Sequence, residues 1–238
     1  VYLTVDTIWF AASYNSGASW SAQHQLFAIL LSPTSIYAGR EPWIAAYGDN
    51  VYVTWEANST TPGVGYHDQA ITSTDGGQTW GAVQNLSDSY TNSWEPENAA
   101  YGNNVFEVFH AISDQGIYVM SATNVNSESP RWSGPTLLSP TKLHSSFAHV
   151  FTSDGVNVFV LWGQQISKGS SVWNAYIAYS GDSGTSWSTP IDISNNANGV
   201  AAGNTDVTSY NLSTSGTNCY AIWTYTNAGT SQIYFAGS

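Results

Sequence analysis

One short pattern of alternating aliphatic and aromatic residues recurs five times along the chain. Its copies are Val1-Tyr-Leu-Thr-Val5, Val51-Tyr-Val-Thr-Trp55, Val105-Phe-Glu-Val-Phe109, Val158-Phe-Val-Leu-Trp162 and Cys219-Tyr-Ala-Ile-Trp223. Their first residues stand 50, 54, 53 and 61 positions apart. Alternation with period 2 is the mark of a strand. A strand that returns every fifty residues or so restricts the chain to modular architectures, in which each repeat is a unit that buries its faces only against its neighbours.

Each copy sits in a larger unit that reads as four strands. An inner segment precedes the marker strand, as in Ile44-Ala-Ala-Tyr47 and Asn98-Ala-Ala-Tyr101. Gly48-Asp-Asn50, Gly102-Asn-Asn104, Gly155-Val-Asn157 and Gly216-Thr-Asn218 join the two. Gly and Asn accept the positive φ of a hairpin turn, so these are strand-turn-strand signals. A third strand follows at Ile8-Trp-Phe10, Ile117-Tyr-Val119, Ala175-Tyr-Ile177 and Ile233-Tyr-Phe235. A short fourth follows at Val83–Leu86 and Ile191–Ile193. No stretch carries helical periodicity. The expected fold is all-β, a β-propeller of four-stranded antiparallel blades. Residues 1–238 form a single propeller domain of five blades with incomplete first and last blades, in the order three strands, three complete blades, three strands. The alternative is a segment of a six-bladed ring.

The turn after the third strand carries a second repeat. It reads Ser73-Thr-Asp-Gly-Gly-Gln-Thr-Trp80 and Ser180-Gly-Asp-Ser-Gly-Thr-Ser-Trp187, with a weakened copy at Ser13–Trp20 and a degenerate one at Asn124–Trp132. This pattern resembles the Asp-box, or bacterial neuraminidase repeat, of sialidases and other propellers, and the resemblance covers essentially the whole chain. A carboxylate or Asn can bond its own turn backbone, Gly supplies the left-handed residue, and Trp plugs the space between strands. Trp20, Trp80, Trp132 and Trp187, like Trp55, Trp162 and Trp223, are therefore expected in the core. The resemblance implies a sialidase-like fold, and Asp-boxes are structural. Sialidase activity requires three Arg to clamp the substrate carboxylate with their bidentate forks. The chain has two, Arg40 and Arg131, so that activity is rejected.

Composition narrows the partners. A net charge of −12 excludes nucleic acid, which demands a basic footprint, and disfavours anionic membrane surfaces. No run of 18 apolar residues exists to insert in a membrane. The single Cys219 stands where other copies carry Val, which makes it a small buried hydrophobe. The five His show no metal spacing, and no cofactor is expected. The sequons at Asn58, Asn85 and Asn211 fit a glycosylated protein. With disulfides absent, the expected setting is extracellular or cell-surface, and microbial.

Function is expected on the rim opposite the Asp-boxes, where residues break the repeat. Arg40, Lys142 and Lys168 fall there, as do Trp43, Trp94, Trp173, Tyr37, Tyr66 and Tyr90. The start of the inner strand repeats as Arg40-Glu-Pro-Trp43 and Trp94-Glu-Pro-Glu97, which aims Glu41 and Glu95 at the mouth of the central channel. The candidate ligand-binding set is Arg40, Glu41, Trp43, Tyr66, Asp68, Trp94, Glu95 and Trp173: indoles to stack on a sugar face, acids and Arg to bond its hydroxyls. The first reading is a non-catalytic binding or display propeller whose partner is a glycan or a neighbouring surface protein. The alternatives are a glycoside hydrolase or lyase of a non-sialylated polysaccharide, and a structural segment of a larger surface protein. For the hydrolase, Glu41, Glu95, Glu97, Asp68 and Asp206 are the acids available, and two of them in one pocket would favour it.

Overall fold

The computed structural model describes residues 5–30, 39–58, 65–90, 92–139, 143, 145–194, 210–227 and 230–238. Seventeen strands and no helix are found among them. The first sheet holds β1 (Val5–Phe10) and β2 (His24–Leu30). The second holds β3 (Gly39–Tyr47), β4 (Asn50–Asn58), β5 (Tyr66–Ser73) and β6 (Gln84–Asn85). The third holds β7 (Ser93–Tyr101), β8 (Asn104–Ala111), β9 (Gly116–Ala122) and β10 (Thr136–Leu137). The fourth holds β11 (Ser145–Thr152), β12 (Val158–Gln165), β13 (Trp173–Ser180) and β14 (Ile191–Asp192), and the fifth β15 (Tyr210–Ser215), β16 (Asn218–Asn227) and β17 (Thr230–Gly237). All five are antiparallel meanders, and the first strands β3, β7, β11 and β15 pack side by side in that order. The fold is a five-bladed β-propeller, with β3, β7, β11 and β15 innermost in their blades.

Local chemistry explains the blades. Tyr47 pairs with Asn50, Tyr101 with Asn104 and Ser215 with Asn218 across two-residue turns. Gly48, Gly102 and Gly216 open those turns at φ 57–60°, the conformation that a type II′ hairpin demands of its first central residue. The marker strands β4, β8 and β12 are buried along nearly their whole length, because each blade is covered on both faces by its neighbours. Trp55, Phe109 and Trp162 are fully buried, and Trp223 nearly so. Each contributes on the order of 2–3 kcal/mol of burial.

Two expectations need correction. Val5 and Ile8–Phe10, read as parts of separate strands, lie in one continuous strand, β1, paired with β2; residues 1–4 of the first motif lie outside the described residues. Asp6 and Thr7 pair with Ile29 and Ala28 of β2, so no turn separates Val5 from Ile8. Two strands of the first blade, β1 and β2, are described. The turn tryptophans also differ among themselves. Trp80, Trp132 and Trp187 are half-buried plugs against the preceding blade, whereas Trp20 is 67% exposed, with no described blade before it to cover its face.

The turns themselves are built as their residues dictate. Asp75 Oδ1 accepts the backbone N–H of Gln78 and Thr79 and the Ser73 hydroxyl, and Thr79 Oγ1 donates to Asp75 Oδ2. Asp182 repeats this with Ser186 and Ser180. Asn15 keeps the same acceptors with Ser13 and Ser19. The positive-φ Gly77 lies so close to Phe10 of the first blade that a Cβ would come within 2.4 Å of its ring. The turns that carry Trp80, Trp132 and Trp187 therefore tie their own blades to the ones before.

Candidate active site at the channel mouth

The innermost strands start with a repeated irregularity. In β3 the pairing jumps from Arg40 opposite Glu56 to Trp43 opposite Thr54. In β7 it jumps from Trp94 opposite His110 to Glu97 opposite Val108. In each case two residues, a Glu and a Pro, face one, which defines a β-bulge. Pro suits that position because it has no N–H to leave unpaired. The bulged acids have left-handed backbones, Glu41 at φ 52° and Glu95 at φ 60°. A residue before Pro normally stays extended, and a non-glycine residue in this region costs about 1–2 kcal/mol. Such strain persists only where surrounding groups enforce it. For Glu95 one such group is visible: its backbone N–H donates to Oε1 of the fully buried Glu56 at 2.6 Å.

Register then brings three blades to one point. Trp43, Glu97 and His149 stand opposite Thr54, Val108 and Leu161, the fourth residue of each marker strand, and so occupy equivalent rungs of β3, β7 and β11. His149 Nδ1 lies 2.5 Å from Glu97 Oε2, with the Glu97 side chain only 12% exposed. The His149 ring meets the Trp43 indole edge-on at 6.5 Å between centroids. Together Glu41, Pro42, Trp43, Glu95, Glu97, Ala148 and His149 line a cavity of about 360 Å³, within the range of small-molecule sites. Trp43 is 42% exposed, so it offers an indole face to a ligand.

A row of buried acids backs this cavity. Glu56, Asp68 and Glu107 are all fully buried, and Asp68 is the cross-strand partner of Glu56. Burial pushes the Asp68 carboxyl up to about 7, and the neighbouring Glu56 charge adds to that. The hydroxyls of Ser93 and Ser87 lie near enough to oppose the shift. They bond each other, however, Ser93 also donates to the Tyr66 carbonyl, and both Asp68 oxygens are left without a hydrogen-bond partner. Burial, with the Asp68 charge behind it, also raises the Glu107 carboxyl well above the carboxylate range, against the Thr54 hydroxyl; Glu97 adds a further repulsive charge. Desolvation disfavours the charged form, so these groups hold protons that surface acids release.

Of the residues singled out in the sequence, the cavity gathers Glu41, Trp43 and Glu95. Arg40 stands one residue before them in β3, its backbone opposite Glu56. Trp94 and Tyr66 form a separate edge-on pair at 6.4 Å, and Asn92 Oδ1 accepts both the Trp94 indole N–H and the Tyr66 backbone N–H. Asp68 is sealed between blades, because the strand β5 carries it inward rather than into a loop. Trp173 packs on the core between the fourth and fifth blades, and Tyr90 on that of Phe109 and Tyr118. Tyr37, Lys142 and Asp206 lie outside the described residues. Glu97, one of the acids read as available to a hydrolase, also lines the cavity, whereas His149 enters the site unannounced by the sequence motif. Aligning inner strands on the marker strand would have found them, since each stands 11 or 12 residues before the marker's fourth residue. Among the described residues no group of three or more His, Cys, Asp or Glu is placed to hold a metal ion. Among those same residues no helix is long and apolar enough to cross a membrane.

The fold has relatives among solved structures. The chain is similar to an α-L-arabinanase from Penicillium chrysogenum solved with arabinobiose, at 11% identity and a TM-score of 0.50 over 84% of this chain. It is also similar to the endosialidase of phage phi92, at 12% identity and a TM-score of 0.53 over 87% of this chain. The chain spans 62% of the length of the first and 34% of the second. At these identities the likeness is one of fold. No protein-family model matches the chain, and no curated protein does.

Proposed function

We propose that this protein is a secreted microbial glycoside hydrolase acting on a neutral, non-sialylated polysaccharide at the mouth of its central channel. The observation that carries this reading is the convergence of three carboxylates, Glu41, Glu95 and Glu97, on one cavity beside an exposed indole. Glycosidases need two carboxyl groups flanking the scissile bond, one protonating the leaving oxygen and the other serving as base or nucleophile on the opposite face. Glu41 and Glu95, on equivalent bulges of adjacent blades, suit that pair. Glu97, held by His149, suits a positioning role toward ring hydroxyls, and Trp43 suits stacking on the sugar. The arabinanase likeness makes arabinose-containing polysaccharides the first class to test. The Ser-x-Asp-x-Gly-x-Ser/Thr-Trp turns are read as Asp-boxes, structural parts that take no share in the chemistry. Two arginines in the whole chain argue against a sialylated substrate despite the endosialidase likeness.

The test is a reducing-end assay on arabinan, arabinoxylan, galactan and polysialic acid. Cleavage is expected of at least one neutral polymer and not of polysialic acid, with Trp43→Ala raising KM by about tenfold, as loss of a stacking contact worth 1–1.5 kcal/mol would. An inert panel that still binds wild type, and binds the Trp43→Ala variant less, would instead support a glycan-binding propeller. The 42% exposure of Trp43 fits that second reading too.

A further inference from the structure

A second aromatic group stands on the rim beside the cavity. Trp94 of the third blade and Tyr66 of the second meet edge-on at 6.4 Å between ring centroids, and both are half-buried. Trp94 immediately precedes Glu95 in the chain, so its Cα lies about 3.8 Å from that of a cavity-lining acid. By register it stands opposite His110, two rungs from Glu97 opposite Val108, about 7 Å nearer the start of β7. The pair therefore lies outward of the cavity, where the second and third blades meet. Hydrogen bonds fix it there. Asn92 Oδ1 accepts the Trp94 indole N–H at 3.0 Å and the Tyr66 backbone N–H at 2.9 Å. The Tyr66 carbonyl accepts the Ser93 hydroxyl, so both backbone groups of Tyr66 are bonded to the chain entering β7. The core does not require these rings. Among the described residues neither belongs to a hydrophobic core cluster, and the counterpart of Trp94 in the Arg40-Glu-Pro-Trp43 repeat is an arginine.

We propose that Trp94 and Tyr66 form an outer sugar subsite, which stacks on a ring of the polysaccharide beyond the one held in the cavity. This rests on the reading of the cavity as a glycan site. With its N–H bonded inside the protein, the indole offers a ligand its apolar surface, which suits the C–H face of a sugar ring. Rings fixed in advance lose little freedom when the ligand arrives. The bound chain then runs from the cavity outward along the seam of the second and third blades, and the protein grips an extended segment rather than a single terminal sugar. Such a surface takes no part in the chemistry. Its contribution appears only once the chain is long enough to reach it.

The experiment titrates oligosaccharides of increasing length, prepared from arabinan, arabinoxylan and galactan, into the Glu41→Gln/Glu95→Gln protein, which leaves them intact. Saturation-transfer NMR, with the aromatic protons of the protein irradiated, reads both affinity and the sugars in contact. Long oligosaccharides should show saturation on at least two sugars of one chain, a result that needs no change at Trp94. Adding Trp94→Ala should leave the affinity of the shortest bound oligosaccharide within about twofold and weaken the longest by about tenfold, as loss of an aromatic contact does. Trp94→Phe, which keeps a ring face, should recover most of that loss. Trp43→Ala should weaken binding at every length. Saturation confined to one sugar, or a Trp94→Ala loss that is absent or equal at all lengths, would overturn the subsite while the glycan site stands. Absence of binding at every length would overturn the glycan reading, and the subsite with it.

Discussion

Glu56 shows how a single side chain out of reach of the cavity can govern it. Its carboxylate accepts the Glu95 backbone N–H and so holds a left-handed bulge that a pre-proline glutamate would not adopt unaided. Glu56→Gln retains an acceptor oxygen, whereas Glu56→Ala removes the acceptor of a part-buried N–H, at a cost of about 1–3 kcal/mol. Glu56→Ala is therefore expected to lower kcat on the cleaved polysaccharide more than it raises KM, and Glu56→Gln to restore most of the loss. Equal losses in the two variants would show that charge, rather than the contact to Glu95, is what matters.

Asp68, the cross-strand neighbour of Glu56, makes a prediction about pH. Its folded-state pKa of about 7 lies above the unfolded value of about 4, so folding takes up a proton between the two. The protonated carboxyl is compatible with burial below about pH 4, and stability falls as pH rises through about 7. Asp68→Asn removes that dependence. Chemical denaturation of both proteins from pH 4 to 8 should find the variant gaining on wild type as pH rises, by roughly 2–4 kcal/mol in all. A constant difference across the range would show that Asp68 is ionised in the folded protein.

At the scale of elements, the turns are where sequence and structure agree most closely, since the acceptor, the glycine and the indole each have one local job. The Thr79 and Ser186 contacts, hydroxyl and backbone N–H together, hold the Asp75 and Asp182 carboxylates down at about 2. Pairs of this kind stabilise the fold above the unfolded pKa of about 4 and lose that contribution as pH falls through about 2. The double variant Asp75→Asn/Asp182→Asn should melt lower than wild type at pH 7, and the gap should narrow between about pH 4 and pH 2. Trp187→Ala should cost about 3 kcal/mol through the void left between blades. Trp20→Ala, at a site 67% exposed, should cost under about 0.5 kcal/mol. Equal effects at Trp20 and Trp187 would contradict the inter-blade role of the plugs.

The same elements mark what could be read in advance. Hairpin glycines, marker strands and turn acids announce themselves because each answers a local constraint within a few residues. Val5 and Ile8–Phe10 share one strand because no Gly or Pro stands between them to turn the chain. The site was only half legible. Glu41, Trp43 and Glu95 stand out as breaks in the repeat, but Glu97 and His149 meet across 52 residues, a contact fixed by how β7 and β11 pack. Asp68 and Trp173 read as rim residues because strand ends in a propeller extend further than the periodicity shows.

At the scale of the whole molecule, five sheets around an axis turn small regularities into two distinct places. Repetition of the inner strand brings equivalent rungs together, and there the chain varies its residues from Trp to Glu to His. Repetition of the outer turn seals three interfaces with indoles. The first place is where chemistry is proposed.

The central claim is that Glu41 and Glu95 flank a glycosidic bond at the channel mouth. Time-resolved proton NMR of the anomeric region, recorded on the neutral polysaccharide cleaved in the panel, tests it most directly. Wild type should generate new reducing-end signals, and their initial configuration distinguishes retention from inversion. Glu41→Gln and Glu95→Gln, which preserve size, should each slow their appearance by about 10²–10⁴-fold with Tm within a few degrees of wild type. Undiminished cleavage in both variants, or no new anomeric signal from wild type on any neutral polymer, would contradict the account.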